Sequence, residues 1–314
     1  MKLLAAVAAL SLLAGPCLAA PDDHDIAVQF LKLQERMSEA RASFVARQVM
    51  SRQSAETDWA RTPSAADCAR YSERSVRGGL GFSTARGAAA DEAARLIDRV
   101  VQRLIKASDL QLSALCPAVI GDSDDYNAVS FAGGSGDPAR DVREEAADRT
   151  AAYKGVMIDR GLILAAVSDD ELAAVVGHEL GHLVLQHLPA RRELSLMGDG
   201  AALARGLDAP AAEIAKRQLG AWGSGYLIET EMEADRFGAE TMARAGYDPR
   251  AFASVLAHAE PAALRLDSRG PAAVESDFAR RNAAAAGFAA DFPIARDAGS
   301  TPLVLKRLKT LLAR

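Results

Sequence analysis

Histidine, cysteine and aromatic residues are scarce in this chain of 314 residues, and long apolar runs are absent beyond its N-terminus. The sequence contains 5 histidines and 3 cysteines, and aromatic residues make up 5% of it. No stretch after the N-terminal residues approaches about 18 consecutive apolar residues, so we predict no transmembrane segment in the mature chain. The formal net charge of −5 argues against a nucleic-acid binder. An apolar fraction of 49% is sufficient for a sizeable folded core.

The first residues have the pattern of a secretory signal peptide. Lys2 precedes an apolar run from Leu3 to Leu13, and small residues follow it. We therefore predict that residues 1–19 are removed and that the mature protein is periplasmic. Pro16 stands where a lipoprotein signal requires a small residue before Cys17, which argues against lipidation.

Removal of the signal peptide would leave two cysteines, Cys68 and Cys116. An even pair in an exported protein favours a disulfide between them. Two separate buried thiols are the alternative. Neither cysteine has the sequence context of a nucleophile, because no C-x-x-C pattern and no group of histidines accompanies it.

Helical patterns dominate the chain, and short β-prone segments lie in its middle. Apolar residues recur at helical spacing from Asp25 to about Ser54 and from about Ala88 to Ala107. Strand-like residues occupy Leu112 to Ile120 and Tyr126 to Phe131, with turn residues between them, and Val156 to Leu164 is another strand or a strand-to-helix entry. We predict an α+β fold that is predominantly helical and has a small sheet.

The segment from Ser168 to Pro189 contains the strongest motif. Ser168 and Glu171 form a capping box, which predicts a helix that begins there. The helix contains His178-Glu179-Leu180-Gly181-His182, an H-E-x-x-H motif. Residues four apart lie on one face of a helix, so two imidazoles can reach one zinc ion. Glu179 can then act as general base toward a water molecule at the metal.

A second helix, predicted from Leu227 to about Ala245, carries two acids on its apolar face. Gly220, Gly223 and Gly225 lie just before this helix and predict a break between it and the preceding helical region. Glu231 and Asp235 lie on the face opposite to an all-charged one that must face solvent, and buried carboxylates need a cation or strong donors. The charged face consists of Glu229, Glu233, Arg236, Glu240 and Arg244. We predict that Glu231 is the third zinc ligand and that Asp235 accepts a hydrogen bond that orients a ligand histidine. The alternative is that both acids pair with arginines in the core.

These motifs together resemble the gluzincin metallopeptidase family that includes the CAAX-prenyl endopeptidases, the HtpX heat-shock protease and soluble periplasmic assembly proteases. The resemblance is carried by His178 to His182, the trailing His187, Glu231 to Gly238, Ala245 to Pro249, and Asn127-Ala128, which is similar to the family's edge strand. It implies a zincin-like fold with one Zn²⁺ per chain, held by His178, His182 and Glu231, and with Glu179 as the catalytic base.

The resemblance also implies how substrate binds. An edge strand at Asn127, Ala128 and Val129 would capture extended polypeptide through main-chain hydrogen bonds. We expect residues 111–314 to form the catalytic domain with a C-terminal helical tail, and residues 20–110 to form a helical region that packs on it. Many relatives carry a His-Pro pair near the C-terminus, whereas this chain has Thr301-Pro302.

The implied function is a zinc metalloendopeptidase that hydrolyses unfolded or misassembled envelope proteins, with envelope assembly machinery as a partner. The alternatives are a chaperone-like periplasmic assembly or quality-control factor with little proteolysis, and a different metal-dependent hydrolase. An intact Glu179 argues against a pure binding protein, because such a protein has no use for the base. Tyr226, His258 and Arg307 are the candidates for stabilising the oxyanion.

Overall fold

The computed structural model describes residues 31–33, 35–44, 46, 84–108, 115–133, 153–185, 187, 209–266, 269–295 and 303–313. The helices with defined bounds are α1 Ala88–Ala107, α2 Arg160–Ala165, α3 Asp169–Val184, α4 Ala209–Arg244, α5 Ala251–Leu266, α6 Pro271–Ala285, α7 Phe288–Asp291 and α8 Leu305–Leu312. The strands are β1 Val119–Gly121, β2 Ala128–Gly133 and β3 Tyr153–Asp159. The prediction of a predominantly helical α+β fold with a small sheet is confirmed.

Several predicted features lie outside the described residues, among them the signal peptide at residues 1–19, Cys68 and most of the helix predicted from Asp25 to Ser54. The part of that helix between residues 31 and 46 that is described is helical. Among the helices of the described residues, none is long and apolar enough to cross a membrane. The predicted domain boundary near residue 110 stays a prediction.

The chain divides into two compact units. The first consists of Met1–Met50 and Pro189–Leu227, and the second of Ser51–Leu188 and Ile228–Arg314. In the first unit Phe44 is buried, and the rings of Trp222 and Tyr226 pack edge-on against it with centroid separations of 5.3 and 4.9 Å. The second unit contains the sheet, α3 and the C-terminal part of α4, and therefore all the elements that form the candidate site.

The sheet has the strand order β1-β3-β2, with β1 parallel and β2 antiparallel to β3. Ala128 pairs with Ile158 and Val129 with Met157. Among the described strands β2 pairs with β3 alone, so it is an edge strand of this sheet. β2 also packs against α3. The predicted edge strand therefore lies beside the motif helix.

Helix α3 is the centre of the second unit because it is apolar on nearly all sides. It packs against α1 and α5 as well as β2. Most of its residues are buried, including Leu172, Val176, Leu180 and Leu183. Its predicted start is confirmed: the Ser168 side chain accepts a hydrogen bond from the backbone N–H of Glu171 at 3.1 Å. Helix α1 has the predicted bounds, with one face of its amphipathic surface in the same core.

Three consecutive acids in the first turn of α3 each fix a different segment. Asp169 accepts hydrogen bonds from two backbone N–H groups at the start of α8. Asp170 accepts one from the backbone N–H of Asp248, in the loop after α4. Glu171, which is fully buried, accepts one from the Tyr126 hydroxyl at 2.7 Å, just before β2. The N-terminal end of α3 is thus tied to the tail, the α4–α5 loop and the edge strand.

One expectation about α4 is wrong. Gly220, Gly223 and Gly225 were expected to separate the acid-bearing helix from what precedes it, but α4 continues through all three from Ala209 to Arg244. A glycine costs a helix only about 1 kcal/mol relative to alanine. That cost is small enough for packing interactions along a helix of 36 residues to outweigh it.

Candidate metal centre

The site is built where α3 and α4 approach each other at their backbones. A Cβ atom added to Gly177 would lie 3.0 Å from the Gly238 Cα, and one added to Gly181 would lie 2.9 Å from the Ala234 Cα. A Cβ atom on Gly238 would lie 2.8 Å from the backbone nitrogen of His178. Small residues on both helices therefore permit a contact that any larger side chain would prevent. This contact brings side chains of both helices close to one point.

The three predicted ligands are brought together at that point. The Nε2 atoms of His178 and His182 are 3.0 Å apart. The two carboxylate oxygens of Glu231 lie 3.4 Å from these nitrogens, Oε2 from His178 and Oε1 from His182. One potential ligand atom from each residue lies within 4.8 Å of the others.

Asp235 fixes the tautomer of His178. Its Oδ1 lies 2.8 Å from His178 Nδ1, and Asp235 is only 2% exposed. A carboxylate can only accept, so the neutral imidazole donates from Nδ1 and carries its lone pair on Nε2. Asp235 therefore lies in contact with His178, one of the two predicted ligand histidines.

A longer chain of contacts fixes the tautomer of His182. Glu233 Oε2 accepts from His187 Nε2 at 3.1 Å, which leaves the lone pair of neutral His187 on Nδ1. His187 Nδ1 lies 2.9 Å from His182 Nδ1, so His182 donates there and also has its lone pair on Nε2. Sequence reasoning placed Glu233 on the solvent face. Its side chain is indeed 45% exposed, but it is long enough to reach the buried His187.

These donors fit a zinc ion. Two lone pairs directed at each other across 3.0 Å repel, and a cation between them removes the repulsion. A tetrahedral zinc site with bonds of about 2.0–2.1 Å places its ligand atoms roughly 3.3 Å apart. The separations of 3.0, 3.4 and 3.4 Å in this group are close to that value. Two imidazoles and one carboxylate also form a ligand set that catalytic zinc sites use.

Arg281 on α6 contacts both acids, and sequence reasoning missed it. Its Nε and Nη2 each donate to Asp235 at 2.8 Å, and its Nη1 lies 3.2 Å from Glu231 Oε2. Burial raises the pKa of Asp235, but Arg281 and His178 outweigh it and lower this pKa to about 2. The alternative that both acids pair with arginine is therefore partly correct. It holds together with the histidine contacts and does not replace them.

A signal for Arg281 was present in the helical pattern. Val274, Phe278 and Ala285 form the buried stripe of α6, and Arg281 falls on the same stripe. An arginine at such a position needs an anionic partner inside the protein. The sequence could not show which of several acids would be that partner.

Glu179 is a nearly buried carboxylate beside the ligand group. It is 6% exposed. Within the described part of the chain, it makes no hydrogen bond and no ion pair. The role of Glu179 as a general base stays a prediction.

Asn127 lies directly before β2, and Asp159 holds it in place. The Asn127 side-chain amide donates to Asp159 Oδ2 at 3.0 Å, and the Asn127 carbonyl accepts from the Asp159 N–H at 3.0 Å. Ala128 and Val129 follow in the strand. Of the three predicted substrate-binding residues, Ala128 and Val129 thus begin the edge strand and Asn127 directly precedes it.

The other candidates named from the sequence have contacts or positions of their own. His258 Nδ1 lies 2.6 Å from Glu171, two helical turns before His178, and Arg307 is exposed on α8. Tyr226 packs on Phe44 in the first unit. Cys116 is buried and disulfide-bonded. Its predicted partner Cys68 lies outside the described residues, so that pairing stays a prediction.

Comparison with known proteins shows what this chain is similar to. The model of peptidase family M48 matches residues 90–314, which include every residue of the candidate centre. A protein of Vibrio cholerae serotype O1, provisionally named beta-barrel assembly-enhancing protease, is 36% identical over 108 residues. That match covers 31% of this chain and 22% of the relative, so the matched segment spans about a fifth of the relative's length.

Proposed function

This chain belongs to peptidase family M48, whose members depend on zinc, and on that basis we propose that it is a zinc metalloendopeptidase of the periplasm. Its substrates on this proposal are unfolded or misassembled envelope proteins. The observation that carries the proposal is the ligand group itself. His178 and His182 direct their Nε2 atoms at one point that the Glu231 carboxylate also faces.

In the proposed mechanism, His178, His182 and Glu231 hold one zinc ion. When bound, zinc polarises the scissile carbonyl and makes water more acidic. Glu179 removes a proton from the attacking water and delivers it to the leaving amine. Asp235 and His187 keep the two imidazoles in the tautomers that ligation requires.

The edge strand β2 supplies the substrate-binding surface in this proposal. An extended polypeptide would pair with Asn127, Ala128 and Val129 through main-chain hydrogen bonds, as in other cases of β-augmentation. Recognition of the main chain favours unfolded segments over a particular sequence. The packing of β2 against α3 supports this, because a peptide on that strand would run near the motif helix.

The periplasmic location and a role in envelope assembly rest on two indications. The N-terminal residues have a signal-peptide pattern. The relative from Vibrio cholerae has a name that refers to beta-barrel assembly. Cell fractionation of the tagged chain, with mass spectrometry of its N-terminus, tests the location. Recovery in the cytoplasm with residues 1–19 intact would contradict it.

The central test compares wild type with Glu179→Gln on unfolded casein while bound zinc is measured. We expect one zinc per chain in both proteins. A general base contributes about 10²–10⁴-fold, so cleavage by the variant should fall by at least about a hundredfold. Glu240→Gln is the matched control, since Glu240 lies on the outer face of α4 and pairs only with Arg244 among the contacts described. It should cleave like wild type.

Two outcomes would change the proposal. Bound zinc without cleavage in wild type would favour the chaperone-like alternative, and a Glu179→Gln variant that still supported the biological role would add to that case. Absence of zinc from wild type would remove the metal centre.

A further inference from the structure

Arg281 reaches the centre of the site, and all three of its guanidinium nitrogens contact the two acids there. Nε and Nη2 form a two-point contact with Asp235, and Nη1 reaches Glu231 Oε2. The side chain is 12% exposed and lies over the Phe278 ring, with Cζ 5.4 Å from the ring centroid. A planar guanidinium held in this way fixes the direction of each carboxylate that it contacts.

We propose that Arg281 is a positioning residue of the metal centre, which sets the orientation of the ligand Glu231 and of Asp235, the acid that orients the ligand His178. The inference rests on the proposed function, because it concerns the same centre. Asp235 Oδ1 accepts from both His178 and Arg281. One arginine from α6 therefore controls two ligands, one directly and one through Asp235.

Two effects oppose each other when Arg281 is removed. Loss of a positive charge near the centre favours binding of a cation, whereas loss of the two-carboxylate contact removes the guanidinium that fixes the direction of Glu231 and Asp235. The charge of Arg281 is already offset by Asp235 at 2.8 Å, so the electrostatic gain is small. Groups that orient metal ligands typically contribute about 10–100-fold to metal affinity. We therefore expect loss of orientation to dominate.

The adjacent Arg280 offers a matched control. It lies on the same helix and pairs with Glu229 of α4, but both side chains are about half exposed and neither touches the ligand group. Such a surface pair contributes little to stability. Arg280→Met removes the same charge and the same number of atoms as Arg281→Met without affecting the proposed clamp.

The test measures zinc dissociation constants by competition with a chromophoric chelator, using the full chain and the two methionine variants. We expect Arg281→Met to bind zinc about 10–100-fold more weakly than wild type, and Arg280→Met to stay within about twofold. Arg281→Lys keeps the charge but presents a single point of contact, so its affinity should also fall. The absorption spectrum of bound Co²⁺ should change in both Arg281 variants and stay unchanged in Arg280→Met.

Circular dichroism at the temperature of measurement selects the variants that are folded. If Arg281→Met does not fold, Arg281→Lys carries the test. Zinc affinity and Co²⁺ spectra equal to wild type in a folded Arg281 variant, or tighter zinc binding, would overturn the inference. That result differs from failure of the proposed function, in which wild type itself binds no zinc or Glu179→Gln still cleaves peptide.

Discussion

Asp159 should make the protein less stable as the pH rises from about 4 to 7. It is 2% exposed at the end of β3. Burial raises its pKa, the hydrogen bond from Asn127 opposes this effect, and the charge of Asp125 adds to it, so that the pKa is about 6. The usual value is 3.8. The folded protein therefore holds this proton more tightly than the unfolded chain does.

The sign and size of the effect follow from linkage. A raised pKa stabilises the folded state fully below the unfolded value of 3.8, and this stability is lost as the pH rises through about 6. A difference of about two in pKa corresponds to roughly 3 kcal/mol. About 1 kcal/mol of that is already lost at pH 4.5, so about 2 kcal/mol should be lost between pH 4.5 and 7.5.

Asp159→Asn isolates this contribution. The new amide can still accept a hydrogen bond from Asn127 but does not ionise. The free energy of unfolding of the variant, relative to that of wild type, should therefore rise by about 2 kcal/mol between pH 4.5 and 7.5. Urea unfolding at both pH values, with a zinc chelator present, measures the difference. All other groups titrate in both proteins, so their effect cancels from the difference in stability between variant and wild type. Asp122→Asn, at an exposed position nearby, should show no such change.

A difference between Asp159→Asn and wild type that is the same at both pH values would refute the reasoning. It would mean that the Asp159 carboxyl titrates alike in the folded and unfolded chains. If the stability of Asp159→Asn relative to wild type fell as the pH rose, the hydrogen bond from Asn127 would outweigh burial.

Three further predictions concern helix packing and hydrogen bonds at a helix end. Gly238→Ala should lower stability by about 1–3 kcal/mol and reduce bound zinc, because the new Cβ would press on the His178 backbone nitrogen. Gly225→Ala, at an exposed position with no atom near the new Cβ, should instead raise the melting temperature. Asp169→Ala should cost about 1 kcal/mol, because two N–H groups at the start of α8 lose their acceptor. Hydrogen exchange should then increase in residues 303–313 more than elsewhere, and equal exchange there would contradict the assignment.

The features predicted correctly from the sequence are those that local rules determine. Helix α1 begins and ends where its apolar period does, and α3 begins at the Ser168 cap. The face shared by Glu231 and Asp235 follows from their spacing of one turn. In each case the information lies within a few residues of the feature that it predicts.

The contacts that sequence reasoning missed depend on distance in the chain or on side-chain length. Arg281 lies 46 residues after Asp235, and several acids could have been its partner. Glu233 was placed on the solvent face from its position on the helical wheel. That position gives the direction of the Cβ atom but not how far the carboxylate reaches. Its contact with His187 depends on where the chain goes after α3 ends at Val184.

The arrangement of α4 makes metal binding and helix packing interdependent. Within five consecutive residues it supplies the carboxylate of Glu231, the proposed ligand, and the acids Glu233 and Asp235, which contact His187 and His178 respectively. Each contact joins a side chain of α4 to a histidine of α3 or to His187 just after it. A displacement of α4 along α3 would therefore disturb all of them at once. Gly238 permits the backbone contact that prevents such a displacement. A substitution that loosens this packing should therefore weaken zinc binding even where no ligand changes, and a zinc ion should in turn stabilise the packing of the two helices.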